Sequence, residues 1–204
     1  MKKNFPALIF AFPVLFCSAQ SDVKQTSGIQ SGNFIVEKSI LATPVKNQAV
    51  TGTCWAFSTT SLLESQALKK GLGSLDISEM FTVRNVYIEK AKNYILRQGH
   101  AQFGEGGLGH DLIRSTATYG AVPENVYSGL NLKHKTHNHQ AMITELKYYL
   151  DSLLKYRPVP SNWMTGFEAT LDGYLGAVPA DFNYNGKKNL LNYCLLIICC
   201  SIRK

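Results

Sequence analysis

Through residues 80–95 the apolar side chains Met80, Val83, Tyr87, Ala91, Tyr94 and Ile95 recur at steps of three and four, with Ser78 before them and Gly99 after. A period near 3.6 places such residues on one face of a helix, and serine at its start and glycine past its end are the types that cap one. Three further segments read the same way. Residues 54–70 carry Ala56, Leu63 and Ala67 with Phe57 beside them, then Lys69 and Lys70 in the last turn and Gly71 beyond, which suits the negative end of a helix dipole and a left-handed cap. Residues 108–119 close on Gly120 with Pro123 beyond, and residues 140–155 align Met142, Leu146, Tyr149, Leu150 and Leu153. Strand signals are few and short, so the pattern predicts a mainly helical layer large enough to bury a core.

Composition narrows the class. The 204 residues are 45% apolar and 17% charged, with 16 glycines spread without a period, which excludes disorder, collagen and coiled coil and bounds the chain to one domain or two. Twenty-one Lys and Arg against 14 Asp and Glu give a net charge of +7. The basic residues are scattered with no run longer than two, so no stripe forms along which a phosphate backbone could lie, and nucleic acid is not expected as a partner. No repeat of 20–50 residues is present.

The two ends differ from the middle. Met1-Lys2-Lys3, the apolar residues 5–17 (FPALIFAFPVLFC) and the small pair Ser18-Ala19 follow the order of a secretory signal peptide, so residues 1–19 are expected to be removed after Ala19 and the protein exported, periplasmic or secreted. Pro6 and Pro13 break the apolar stretch, which is too short to span a membrane, and no membrane association is expected after cleavage. Leu15-Phe16 ahead of Cys17 argues against a lipid-anchored cysteine, which needs small residues there. Residues 20–40 are polar and rich in Ser and Gln, a mobile lead-in, and residues 40–45 read as an extended segment fixed by Pro44. After Lys188 the composition changes abruptly to NLLNYCLLIICCSIRK, in which Cys194, Cys199 and Cys200 are three of the five cysteines. The apolar run 195–200 reads as a buried strand, and the alternative is that residues 189–204 are a divergent tail of the kind a frameshift or premature stop produces. This uneven thiol usage does not make a disulfide framework.

The chemistry concentrates in residues 43–58, T-P-V-K-N-Q-A-V-T-G-T-C-W-A-F-S. Cys54 stands at the expected start of a helix, where free N–H groups and the positive end of the dipole favour an anion, which makes it a nucleophile candidate. Gly52 permits close approach of backbone and substrate just outside the helix. Gln48, six residues upstream across the turn, can bring its side-chain amide toward the sulfur, so that with the Cys54 backbone N–H two donors face a developing oxyanion. Trp55 offers a flat side chain able to screen the thiolate's partner from water. The alternative reading of the same residues is an inert buried thiol at the end of a core helix.

In this order the residues resemble the nucleophile segment of papain-like cysteine peptidases: P-V-K-N-Q, then C-W-A-F-S. The resemblance implies that Cys54 is the nucleophile and Gln48 the oxyanion donor. Many secreted members carry a cysteine where this chain has Thr51, so the neighbouring disulfide of those members cannot form here. Ile77-Ser78-Glu79 is similar to the family's L-S-E helix start. Gly106-Gly107 before Leu108 is similar to the paired glycines that line the pocket for the substrate's second residue, where a wall without side chains lets a peptide pair with backbone. Taken alone, residues 104–109 (GEGGLG) also read as a flexible loop. Residues 119–123 (YGAVP) and a helical insertion at 141–155 resemble the bleomycin hydrolase and aminopeptidase C branch, whose members remove N-terminal residues from peptides and assemble as hexameric rings. The resemblance thus implies a peptide substrate, a homo-oligomer and no cofactor.

That chemistry also needs a base, and the family supplies a histidine oriented by an asparagine in an N-S-W context. The family's spacing places them about 130–150 residues past the cysteine. Residues 184–204 hold no histidine; the five present are His100, His110, His134, His137 and His139, and Asn162-Trp163 lacks the intervening serine. His110 reads as structural or as a neighbour of substrate. His134, His137 and His139 lie within six positions, but Lys133 and Lys135 repel a cation and no carboxylate or thiol joins them, so the run reads as a solvated loop and no metal site is expected. Glu105 and Asp111 read as loop charges.

The expected fold is α+β of the papain-like type, with mainly the helical left half at residues 41–188 and the β-barrel-like right half largely missing. The function implied is an exported cysteine-type aminopeptidase. Two alternatives stand beside it: a truncated pseudo-peptidase that at most binds peptide, and a noncatalytic helical interaction domain.

Overall fold

The computed structural model describes residues 37–131, 135–184 and 187–190. The chain divides into Met1–Ser39 and Ile40–Lys204, and the elements below belong to the second unit. The expected signal peptide, the lead-in up to residue 36, His134 and the cysteine-rich residues of the tail lie outside the described residues.

Among the described residues five helices carry the fold: α1 (Cys54–Lys69), α2 (Glu79–Leu96), α3 (Gly109–Tyr119), α4 (Gln140–Leu153) and α5 (Trp163–Leu175). They are followed by the antiparallel pair β1 (Asp181–Tyr184) and β2 (Lys187–Leu190), in the register Asp181 to Leu190 and Tyr184 to Lys187. The first four helices fall where the periodicity predicts, and α4 ends two residues early. The fifth is not anticipated by the sequence reading, although Phe167, Leu171 and Leu175 repeat at steps of four and are buried. The hairpin is likewise not anticipated, and β2 runs across the composition break at Lys188. No described helix is long and apolar enough to cross a membrane.

Helix α2 is the axis, because it packs against each of the other four. Its first ten residues, 79–88, are buried on every side, including Phe81, Val83, Val86 and Tyr87. A helix enclosed all round must satisfy its polar side chains internally. Asn85 donates to the Phe81 carbonyl one turn back at 3.0 Å, and Arg84 reaches Asp172 of α5 at 2.8 Å. Ser78 caps the start by accepting the Phe81 N–H at 3.1 Å. The end differs from expectation: Gln98, not Gly99, takes the first left-handed position (φ 53°), with the Gly99 N–H bonded to Tyr94 O at 2.9 Å.

Helix α1 ends as predicted. Gly71 takes φ 72°, its N–H bonds Leu68 O at 3.0 Å, and the Leu72 N–H bonds Ala67 O at 3.1 Å, which closes the last turn in a Schellman motif. The inner face of α1 carries a buried carboxylate that the apolar pattern did not reveal. Glu64, 1% exposed, accepts from Thr43 Oγ1 at 2.5 Å, Ile77 N at 2.8 Å and Lys46 Nζ at 3.2 Å. A buried charge is tolerable only when paired and fully hydrogen-bonded. The three bonds pin residues 43–46 against α1 and the start of α2, and so deliver the chain to the turn ahead of Cys54.

Candidate active site

Cys54 is the first residue of α1, and its side chain is exposed. The Thr53 carbonyl accepts the N–H groups of Ala56 at 2.8 Å and Phe57 at 3.3 Å, so the helix opens immediately behind the sulfur. The first N–H groups of a helix have no partner within it and point out of its end. Thr53 makes no side-chain cap; its hydroxyl lies 2.6 Å from that of Thr51. The inert buried thiol of the alternative reading is therefore not found: this cysteine reaches solvent.

Residues 47–51 form a tight turn. Asn47 Oδ1 accepts the Ala49 N–H at 2.8 Å, and Ala49 sits at φ 53°, a left-handed conformation that L-residues with a side chain rarely adopt. Gln48 is half-buried, and its amide nitrogen donates to the Thr51 carbonyl at 2.6 Å. One amide N–H is thus spent on orienting the side chain across the turn, and the second remains to act as a donor. Lys46 braces the turn from behind with Asp76 at 2.7 Å and Glu79 at 3.0 Å. Burial opposes its charge, yet the bonds from Asp76 and Glu79 outweigh it and hold the ammonium above its ordinary range. Glu79 itself is pushed up by burial, partly offset by Lys46.

The glycine loop is held in place, contrary to the flexible-loop reading. Lys90 of α2 donates to the carbonyls of Gly104, at 2.8 Å, and Gly106. Burial lowers the Lys90 pKa, and the two carbonyls supply the partners that its ammonium loses with water. Glu105 is not a loop charge either: its carboxylate accepts the Gly52 N–H at 2.5 Å, and its main-chain carbonyl accepts the Trp55 indole N–H at 3.0 Å. Asp111 accepts the Leu108 N–H at 2.9 Å and so caps α3. The two glycines assigned to substrate part company. A Cβ on Gly106 would meet nothing within 4 Å, whereas one on Gly107 would stand 2.6 Å from Trp55 Cε2. Trp55 is 7% exposed and forms the backing of the loop, so it offers no free face beside the sulfur, because its ring is consumed by this packing.

Among the described residues, His110 and His139 sit on other segments. His110 is on the surface of α3, 70% exposed and 3.5 Å from Asp111. The solvated-loop reading of residues 134–139 fails at His139, which is 2% exposed. Its Nδ1 lies 3.1 Å from the Tyr87 hydroxyl, and its pKa is lowered to about 4 by burial and then by His137. This segment nevertheless touches the site through its backbone: Val50 N–H bonds His137 O at 3.1 Å and His139 N–H bonds Val50 O at 3.3 Å, a parallel bridge beside the turn that bears Gln48. Sequence reasoning missed that bridge, Lys90 and the clamp by Glu105, for no local pattern connects residues 14 or more positions apart.

Residues 34–84 match the model of the papain family cysteine proteases. The matched stretch contains Gln48, Cys54 and Trp55 and runs on through the start of α2, so over these residues the chain is similar to a papain-like cysteine peptidase; the glycine loop falls beyond it. No curated protein matches the chain.

Proposed function

We propose that this chain carries the nucleophile and peptide-binding half of an exported cysteine-type peptidase, an aminopeptidase of the aminopeptidase C kind within the bleomycin hydrolase branch. Cys54 attacks the peptide carbonyl, the C–N bond breaks and the amine leaves with the thiol's proton, and water then hydrolyses the resulting thioester. The Cys54 backbone N–H and the free amide N–H of Gln48 receive the oxyanion, each such donor contributing about 2.7–4 kcal/mol in the transition state. The open side of the loop at Gly106 receives the substrate main chain. The observation that carries this reading is the exposed Cys54 thiol at the mouth of α1, in a segment similar to papain family cysteine proteases.

A second reading rests on the histidines. His139 is enclosed against Tyr87, and His110 lies out on the α3 surface beside Asp111. A site with nucleophile, oxyanion donors and binding wall, in which neither His110 nor His139 takes the thiol proton, binds peptide without turning it over. Two assays separate the readings. Hydrolysis of an amino-acid arylamide, abolished by Cys54→Ala and lowered on the order of a hundredfold by Gln48→Ala, supports the peptidase. Labelling of Cys54 by a peptidyl chloromethyl ketone well ahead of iodoacetamide, without arylamide turnover, supports the binding half-site. Absence of both outcomes refutes either form and leaves the helical interaction domain.

A further inference from the structure

The loop at residues 104–107 and the turn at residues 51–54, 53 positions apart from Gly52 to Glu105, meet at one side chain. Glu105 accepts the Gly52 N–H on its carboxylate at 2.5 Å and the Trp55 indole N–H on its main-chain carbonyl at 3.0 Å. The approach is close: a Cβ on Gly52 would lie 3.0 Å from Glu105 Cβ. On the far side Lys90 holds the carbonyls of Gly104 and Gly106, so the peptide groups flanking Glu105 are anchored to α2 while its carboxylate is anchored to the mouth of α1.

We propose that Glu105 is a positioning residue that fixes the peptide-receiving loop to the nucleophile turn, so that Gly106 and Cys54 are presented to a peptide at one set separation. The inference deepens the proposed function and rests on it. Gly52 N–H is taken up by this bond and is not an oxyanion donor, which leaves that task to Cys54 N–H and Gln48. A hydrogen bond from a backbone amide to a carboxylate is charge-assisted and is among the stronger kinds, and here it joins two segments 53 positions apart in the chain. Without it, the turn keeps its internal bonds, the loop keeps Lys90 and the Trp55 indole still donates to the Glu105 main-chain carbonyl, but Gly52 is no longer fixed to the loop and the separation of Gly106 from Cys54 is held less tightly. A small reagent that needs only an accessible sulfur would not register the change, whereas one that must also lie along the loop would.

The test compares the full-length protein with Glu105→Ala and Glu105→Gln, since the glutamine carbonyl can still accept from Gly52. Two measurements are made on each: the amide exchange rate of Gly52 by NMR, and the ratio of Cys54 labelling rates by a peptidyl chloromethyl ketone and by iodoacetamide. In Glu105→Ala, Gly52 exchange rises about tenfold or more and the peptidyl preference falls by a similar factor, the iodoacetamide rate staying within about twofold, while Glu105→Gln stays near wild type on both. Unchanged Gly52 exchange in Glu105→Ala overturns the clamp, and an unchanged labelling ratio, or an equal loss in Glu105→Gln, overturns the positioning role. If the wild-type protein shows no peptidyl preference at all, the proposed function fails instead, and Gly52 exchange still decides whether the clamp exists.

Discussion

The Tyr87 hydroxyl and His139 Nδ1 lie 3.1 Å apart inside the core, where α2 meets the residues leading into α4. Burial, followed by the neighbouring His137, lowers the His139 pKa from 6.5 to about 4. The folded state therefore keeps His139 neutral where the unfolded chain already binds a proton. Stability from this group is complete above about pH 6.5 and is lost as the pH falls toward about 4, to an extent on the order of 3 kcal/mol. His139→Asn keeps an acceptor for Tyr87 without a titration in this window. The variant should lose less stability than wild type between pH 7 and pH 4.5 in urea denaturation, and an identical loss would refute the assignment.

Glu124 works in the opposite sense. It lines a cavity of about 340 Å³ with Lys46, Asp76, Glu79 and His137. Burial first, and then the charge of Glu79, pushes its pKa from 4.5 up to about 7. The folded state holds this proton more tightly than the unfolded chain, so the stability it confers is complete below about pH 4.5 and is lost as the pH rises through about 7. Glu124→Gln, neutral throughout, should stabilise the protein more at pH 8 than at pH 5. Equal gains at both would rule the shift out. Because the His139 and Glu124 windows overlap with opposite signs, the wild-type profile between pH 5 and 7 should be flatter than that of either variant.

What the sequence disclosed and what it hid follow one division. Helices α1 to α4 were readable because each announces itself locally, by a 3.6-residue apolar period and by caps such as Ser78 and Gly71. The placement of Cys54 at the start of α1 and of Gln48 on the turn before it was readable because they share one short segment. Helix α5 escaped notice because Gly166 and Gly173 lower its helical propensity, although Gly166 is what admits the Tyr149 hydroxyl against the helix. Glu64, Glu105 and His139 were misjudged or unseen for another reason. A polar side chain is sorted into core or surface by partners distant in sequence, here Thr43 and Ile77, Gly52, and Tyr87. No period or spacing encodes those partners.

The paired glycines should separate cleanly on mutation. A methyl group at Gly107 would run into the Trp55 ring, which is buried and tied down by its own hydrogen bond to Glu105. Gly107→Ala should therefore destabilise the fold by about 1–3 kcal/mol, as overpacking does. Gly106→Ala meets open space and should change stability by no more than about 0.5 kcal/mol. It should still slow peptidyl labelling of Cys54 while leaving iodoacetamide labelling unaltered. Thermal midpoints decide the first half, and the two labelling rates the second; a stability loss at Gly106 matching that at Gly107 would contradict the geometry.

Ala49 carries the remaining strain in the turn. Its φ of 53° costs a residue with a Cβ roughly 1–2 kcal/mol relative to the right-handed region, and the conformation persists because Asn47 Oδ1 holds the Ala49 N–H while Gln48 and Thr51 bond across the turn. Glycine removes that cost but adds about 0.4–1 kcal/mol of unfolded-state entropy, so Ala49→Gly should stabilise the protein by about 0.5–1 kcal/mol net. Gln98, at the same φ past the end of α2, provides the control, since its strain lies away from the turn. Gln98→Gly should give a similar gain in thermal midpoint, and the double variant should give the sum, because distant independent sites add within about 0.5 kcal/mol. A loss of stability in Ala49→Gly would mean that the alanine methyl makes a packing contribution larger than its strain, and that the turn bearing Gln48 is held by contacts rather than by its hydrogen bonds.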